Sequence, residues 1–250
     1  MAADPIHQFQ ITKLFTIGHI GGQEIAFTNS SAYMFASVAV ISLLMIAGTT
    51  RRQLVPGRIQ SLAELSYEFV ANMIRSTIGP EGMRFFPLVF SLFTFIMVSN
   101  VIGIIPYAFT VSSHLIVTAA MALLVCNRTV LWPVQKRPKI LKLFVPSGVP
   151  IFILPLVVLI EIISFFFVRP VSHSLRLFAN MLAGHIALKV FASFVVMLGT
   201  LGMIGWMGAI FPLGLTMALT ALELLVAFLQ AYVFAILTCI YLNDAIHAGH

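Results

Sequence analysis

A chain of 250 residues that is 60% hydrophobic and 9% charged, with a mean hydropathy of +1.05, is too apolar for a soluble domain and reads as an all-α polytopic membrane protein. Its net charge of +6, from 14 basic and 8 acidic residues, reports loop topology and not affinity for nucleic acid, because no basic stripe with interleaved aromatics falls on a soluble surface. Cys126 and Cys239 lie in apolar stretches without ligand spacing and no Gly-rich phosphate loop occurs, so no disulfide framework, metal site or cofactor is expected.

Residues 1–30 carry no basic cluster leading into an apolar core and a small-residue cleavage site, so a cleaved signal peptide is not expected and the stretch reads as an external N-terminal segment. Residues 31–50 form a first span, long enough to cross a hydrocarbon core of about 30 Å, and end at Arg51-Arg52. Over 59–78, Ile59, Leu62, Phe69, Met73 and Ile74 alternate at helical spacing with Glu64, Glu68, Asn72 and Arg75, which predicts an amphipathic helix on the membrane surface. A second span covers 85–107, contains Asn100 and Gly103 and closes at Pro106. A third covers 114–134, its second half interrupted by Asn127, Arg128 and Pro133. Two stretches remain, 146–191 and 209–243, each too long to stand upright in a bilayer at 1.5 Å per residue. They predict a long, tilted helical hairpin that reverses at the glycines 199, 202, 205 and 208. The whole is a single membrane domain over 1–250 with five membrane-spanning helices and one surface helix.

Basic residues set the orientation. Arg51, Arg52, Arg58, Arg75 and Arg84 fall in one region and Arg128, Lys136, Arg137, Lys139 and Lys142 in another, and both are expected in the cytoplasm. The uncharged connections 108–113 and 198–208 then lie outside, with the N-terminus outside and the C-terminus inside. One residue stands against the apolar background: Arg176 cannot shed its proton and is costly in lipid, so it requires a function or a partner. Asn180 follows it by four residues and shares its face, and His173 shares the general face of both. Glu161 falls on the cytoplasmic side of Arg176. His185 falls on the outer side, half a revolution away and about 13 Å further along a straight helix. On the returning helix Thr216, Thr220, Glu223 and Gln230 share one stripe, which Tyr241 extends inward. For Glu161 and Arg169 an ion pair within the hairpin competes with a proton relay, for His173 a structural role competes with lining water, and Lys189 reads as a snorkelling side chain.

Polar groups on both sides of a fixed positive charge are the layout of two aqueous half-channels. The run Pro170-Val-Ser-His-Ser-Leu-Arg-Leu-Phe-Ala-Asn-Met-Leu-Ala-Gly-His185, with Glu223 and Gln230 on the next helix, resembles subunit a of F-type ATP synthases. The likeness extends from Asp4-Pro-Ile-His-Gln-Phe9 through Pro87, Asn100 and Phe144-Val-Pro-Ser-Gly-Val-Pro150 to the C-terminal helix. It implies a non-catalytic stator that passes protons to a rotating ring of c-type subunits, each bearing one carboxylate, in a complex with peripheral-stalk b-type subunits and the F1 sector. Carried over by position, Arg176 faces the ring; Asn180, His185, Glu223 and Gln230 match the outer half-channel; Glu161 and Ser172 match the inner one. Histidine at 185 with glutamate at 223 is similar to the mitochondrial and related bacterial branch, which implies a bacterial inner membrane and protons in preference to sodium.

Two stretches depart from the family pattern. Residues 126–140 are not the continuous apolar helix and short loop the family has there. Phe165-Phe-Phe-Val168 is one residue longer than the pattern between Glu161 and Arg176, and in a uniform α-helix that residue would turn Glu161 by about 100°. The competing class is a proton-coupled transporter binding an anionic solute at Arg176, with Glu161 and Glu223 as coupling groups; no internal repeat supports it. A membrane scaffold without transport is the third reading, and it predicts that Arg176 is dispensable.

Overall fold

The computed structural model describes residues 11–20, 23–50, 53–105, 108–136 and 153–246. In chain order they form two antiparallel strands, β1 (Lys13–Ile20) and β2 (Gln23–Thr28), and helices α1 (Asn29–Thr50), α2 (Arg58–Thr77), α3 (Phe86–Ile104), α4 (Leu115–Lys136), α5 (Leu154–Ile163), α6 (Arg169–Gly199) and α7 (Met203–Ile246). Tight 3-10 turns at Pro80–Phe85 and Val111–Ser113 precede α3 and α4, and a single π-helical turn, Ser164–Val168, joins α5 to α6. The quoted motif positions 4–9 and 144–150, the start of the hairpin at 146, and Arg51, Arg52, Pro106, Arg137, Lys139 and Lys142 lie outside the described residues.

Among the described residues four helical stretches are long and apolar enough to cross a membrane: Asn29–Thr50, Pro80–Ile104, Leu154–Gly199 and Gly205–Ile246. A shorter apolar stretch, Leu115–Thr129, lies in α4. The chain is an all-α, multi-pass membrane protein. Large apolar side chains such as Phe35, Val196 and Phe211 are exposed on these helices, as expected where the solvent is hydrocarbon. The stretch Leu154–Gly199 has 46 residues and Gly205–Ile246 has 42. At the helical rise they are about 69 and 63 Å long, roughly twice the hydrocarbon thickness.

Two compact units make up the chain. The first comprises Met1–Leu43, Phe95–His114 and Phe178–Gln230. Its hairpin of β1 and β2, which the sequence reading had not anticipated, pairs Lys13 with Thr28 and Thr16 with Ala26. Phe15 stacks on Phe27 at 4.9 Å and Phe27 on Phe35 at 6.0 Å, so the hairpin leads into α1 through an aromatic ladder. Asn29 begins α1 with its side-chain oxygen accepting from the Ser30 amide at 2.9 Å. Deeper in this unit Ser99 of α3 donates to Ser37 of α1, both buried, at 3.3 Å. The reversal between α6 and α7 turns on Gly202 at φ +78°, a conformation closed to most L side chains. Pro212 sits inside α7, and the Thr216 hydroxyl donates to its carbonyl at 2.8 Å.

The second unit comprises Leu44–Thr94, Leu115–Leu177 and Ala231–His250. Helix α2 buries Ala63, Val70, Ala71, Met73 and Ile74 and leaves Ile59, Leu62 and Leu65 exposed. Its apolar stripe is therefore divided between packing and an outward face. Gly48 of α1 lets α2 approach closely: a Cβ there would meet the Ala63 side chain at 2.7 Å. Phe69 of α2 packs against Phe93 of α3 at 5.5 Å and Tyr232 of α7 at 5.8 Å.

Candidate functional site

Arg176 lies on the exposed side of α6, one helical turn beyond Ser172, in an open groove of about 620 Å³ lined by Phe167, Val168, Val171, Ser172, Leu175 and Arg176. Among the described residues its guanidinium makes no hydrogen bond or ion pair. The opposite side of the same turns buries His173, Ser174 and Leu177. Here the sequence expectation is corrected: His173 does not share the face of Arg176. Three residues leave it 60° short of a full turn, and that offset carries it with Leu177 onto the packed side. Its ring lies 3.8 Å from that of Phe234 and 5.9 Å from that of Tyr241, and its Nε2 is buried without a hydrogen-bond partner among the described residues. Ser174, beside it, shares a hydrogen bond with Thr118 of α4 at 3.0 Å.

In the same unit Arg169 forms a three-residue ion cluster. Its guanidinium donates to Glu161 at 3.0 Å and to Asp244 at 3.2 Å, and it stacks over the Tyr241 ring at 5.2 Å. One cation thus serves two carboxylates, all three partly exposed to solvent. The π-turn is what permits the Glu161 contact. Eight residues separate Glu161 from Arg169, which in pure α geometry leaves them about 80° apart, but a π-turn takes up one extra residue without advancing the face. The turn at Ser164–Val168 takes up a residue in this way, and Glu161 keeps its register with Arg169.

The first unit holds a separate, more deeply buried polar set. Helix α6 presents Asn180 and His185 and α7 presents Glu223 and Gln230; the last three are at most 5% exposed. Asn180 donates to Gln230 at 3.0 Å. His185 contacts Glu223 through Nδ1 and the Gly103 carbonyl through Nε2, the latter at 2.9 Å. Room for the carboxylate comes from Gly184, where a Cβ would stand 3.1 Å from Glu223 Oε1. The second carboxylate oxygen, Oε2, is buried without a hydrogen-bond partner among the described residues. Asn100 of α3 donates to the Ala227 carbonyl at 3.4 Å and accepts from the Ser112 hydroxyl at 2.7 Å, which closes the polar set around α7. Thr216 and Thr220 do not join it, since their hydroxyls return to carbonyls of their own helix.

The structure therefore brings Asn180 to Gln230 and His185 to Glu223, and Glu161 to Arg169, while leaving Ser172 with Arg176 in the groove. Asp244, Ser112 and the Gly103 carbonyl were not read from the sequence as parts of the site. Asp244 is the last acidic residue of the chain with nothing local to mark it, and a backbone carbonyl has no sequence signal at all.

A multi-pass membrane protein with an arginine unpaired among the described residues, and with a buried imidazole on the same helix and a buried carboxylate and amide on the next, has the make-up of an ion-conducting subunit. The sequence matches the ATP synthase A chain family over residues 31–243. It is 77% identical over 251 residues to the ATP synthase subunit a of Rhodopseudomonas palustris strain TIE-1, with both chains covered in full. It is 71% identical over 252 residues to that of Bradyrhizobium diazoefficiens, again over the whole of both, and 69% identical over 248 residues to that of Nitrobacter winogradskyi, over 99% of each. The chain belongs to the ATP synthase A chain family.

Proposed function

We propose that this chain is the proton-conducting stator of the membrane sector of an F-type ATP synthase, and that Arg176 is its half of an intermolecular site. The observation that carries this reading is the guanidinium itself: permanently charged, on an exposed face of a membrane-spanning helix, in an open groove and without a partner in the described chain. Such a charge needs an anion from elsewhere. The carboxylate of a c-type rotor subunit is that anion. A ring carboxylate facing lipid must be neutral, because an unpaired anion in hydrocarbon is prohibitively costly. Beside Arg176, at about 4–6 Å, the ionised form gains about 1–4 kcal/mol, so each arriving site gives up its proton there.

Protons reach and leave the ring by different groups. The set of Asn180 with the buried His185, Glu223 and Gln230 serves the outer half-channel; Ser172 and the Glu161–Arg169–Asp244 cluster serve the inner one. His173, packed on the side of the helix away from the groove, has a supporting role. Arg176 repels protons that would pass directly between the two routes, so flow requires rotation. A membrane potential supplies about 2.3 kcal/mol per charge per 100 mV to bias its direction. The N-terminus lies in the periplasm and the C-terminus in the cytoplasm of a bacterial inner membrane, as the loop arginines and lysines dictate. Nucleotide chemistry belongs to the F1 sector, and this chain has no catalytic site of its own. The transporter alternative finds no support in the family match.

Purification tests the class. The tagged chain should leave the membrane with a rotor ring, b-type stalk subunits and a soluble ATPase; isolation as a free-standing carrier that binds an anionic solute would refute the reading. The π-turn gives a second, finer expectation. Deleting Phe166, which is exposed, should convert the turn to regular α-helix and keep Glu161 opposite Arg169, with ATP synthesis in membrane vesicles close to the parent level. Deleting Leu182 instead turns His185 by about 100° relative to Asn180, with no turn nearby to absorb the change, and should abolish synthesis. Loss of synthesis in the Phe166 deletion would show that the extra residue has a role beyond register.

A further inference from the structure

His185 has both ring nitrogens engaged, and one of them has no freedom in its protonation. The Gly103 carbonyl, 2.9 Å from Nε2, offers only lone pairs, so Nε2 must carry hydrogen in every state that keeps this contact. That carbonyl is available because Gly103 lies in the last turn of α3, where backbone acceptors have no partner further along the helix. Thr110 backs it, with its hydroxyl 3.4 Å from the same oxygen. Nδ1 meanwhile faces Glu223 Oε1. With Nε2–H fixed, a neutral ring opposes a bare Nδ1 to a protonated carboxyl, and an imidazolium opposes Nδ1–H to a carboxylate. The two states differ only in the position of one proton.

We infer that Gly103 is a positioning residue that locks His185 in the Nε2–H form, confines its mobile proton to the line between Nδ1 and Glu223 Oε1, and so makes Glu223 the group through which His185 exchanges. Glu223 Oε2, buried and without a hydrogen-bond partner among the described residues, is the atom open to a further proton. When a proton adds there as the Oε1 proton passes to Nδ1, the pair becomes imidazolium beside a neutral carboxyl; when the Oε2 proton leaves as the Nδ1 proton returns to Oε1, the neutral ring and protonated carboxyl are restored. The carboxyl is the gate and the imidazole a store one bond behind it. The other ionisable group near the ring in sequence is Lys189, one turn further along α6, and α3 has no ionisable side chain. This assignment of order rests on the outer half-channel reading given above.

The test uses the intact complex. With ¹⁵N-labelled histidine, solid-state NMR of the wild-type assembly should show His185 Nε2 protonated throughout the range from about pH 6 to 9, the signals being assigned by their loss in His185→Gln. A bare Nε2 at any of these pH values overturns the lock. The backbone arm is steric. A Cβ on Gly103 would meet Thr110 Cγ2 at 2.8 Å and Oγ1 at 3.0 Å, and so displace the carbonyl. Gly103→Ala should therefore lower ATP-driven proton uptake by about fivefold or more. Adding Thr110→Ala, which removes the two nearest of these atoms and keeps Cβ at 3.3 Å, should recover at least half of it. Unchanged uptake in Gly103→Ala, or no recovery in the double variant, would also overturn the proposal. Normal uptake in His185→Gln has a different meaning: it removes His185 from the proton path whatever its tautomer.

Discussion

Arg176→Ala is expected to abolish ATP-driven proton pumping and proton-driven ATP synthesis in membrane vesicles while leaving the complex assembled. Assembly should survive because the side chain supports nothing within the described chain: it is exposed, lines an open groove and makes no hydrogen bond or ion pair there. Coupling should fail because the cation has two duties. It favours ionisation of the facing carboxylate by about 1–4 kcal/mol, a factor of roughly ten to a thousand in the fraction discharged, and it blocks direct proton passage between the two routes. Alanine removes both, so rotation should stop and passive proton leak should rise. Arg176→Lys keeps a charge but not the planar, always-protonated fork, and a lysine in a low-dielectric groove can neutralise itself. It should restore the barrier to leak only in part and synthesis hardly at all. The measurement is fluorescence quenching of a pH dye in inverted vesicles with ATP, alongside passive proton conductance. Normal coupling in Arg176→Ala would refute the assignment and favour a scaffold.

What the sequence made legible follows from what helical periodicity can and cannot carry. Arg176, Asn180, His185, Glu223 and Gln230 stood out because polar groups in long apolar runs are few and their spacing is regular. Their pairing was not legible. Asn180 with Gln230 and His185 with Glu223 depend on the mutual register of two long helices, which no spacing within either helix records. The stripe on α7 was read as one surface, yet its members part company: Glu223, Gln230 and Tyr241 meet side chains of α6. Thr216 and Thr220 satisfy themselves within the helix, as hydroxyls in apolar helices commonly do. The face of His173 was misjudged because an offset of 60° is tolerable in a coarse helical reading and decisive at a packed interface. At 165–168 the extra residue was visible, but the sequence did not say whether the helix would rotate or bulge. The bulge prevails because rotation would break the ion pair of Glu161 with Arg169 and carry a charged carboxylate round toward the exposed apolar side chains of α5. The β-hairpin at 13–28 escaped notice because strand alternation over six to eight residues is a weak signal beside the long apolar runs that follow.

Glu223→Gln is the second large effect and bears on the other end of the path. The amide is nearly isosteric, fits the space left by Gly184, and can still donate to or accept from His185 Nδ1, so folding and assembly should persist. What it cannot do is gain and lose a proton. Replacing a charge-assisted hydrogen bond, worth about 1.5–3 kcal/mol, by a neutral one, worth about 0.5–1.5, forfeits about 1–1.5 kcal/mol, roughly fivefold to tenfold in rate if proton delivery limits turnover. Proton uptake should fall by that factor at every pH tested, and the passive leak should stay low because Arg176 is untouched. That pattern separates the two residues: loss at Arg176 uncouples, whereas loss at Glu223 starves a machine that remains coupled. Glu223→Asp retains the carboxyl but withdraws it from Nδ1 by one methylene, and should lie between Gln and the parent. Rotation of the ring followed in single complexes would show the same contrast, with Glu223→Gln lengthening the pauses without losing the steps. An uptake rate in Glu223→Gln equal to the parent's across pH would remove this carboxylate from the proton path and leave it a structural partner of His185.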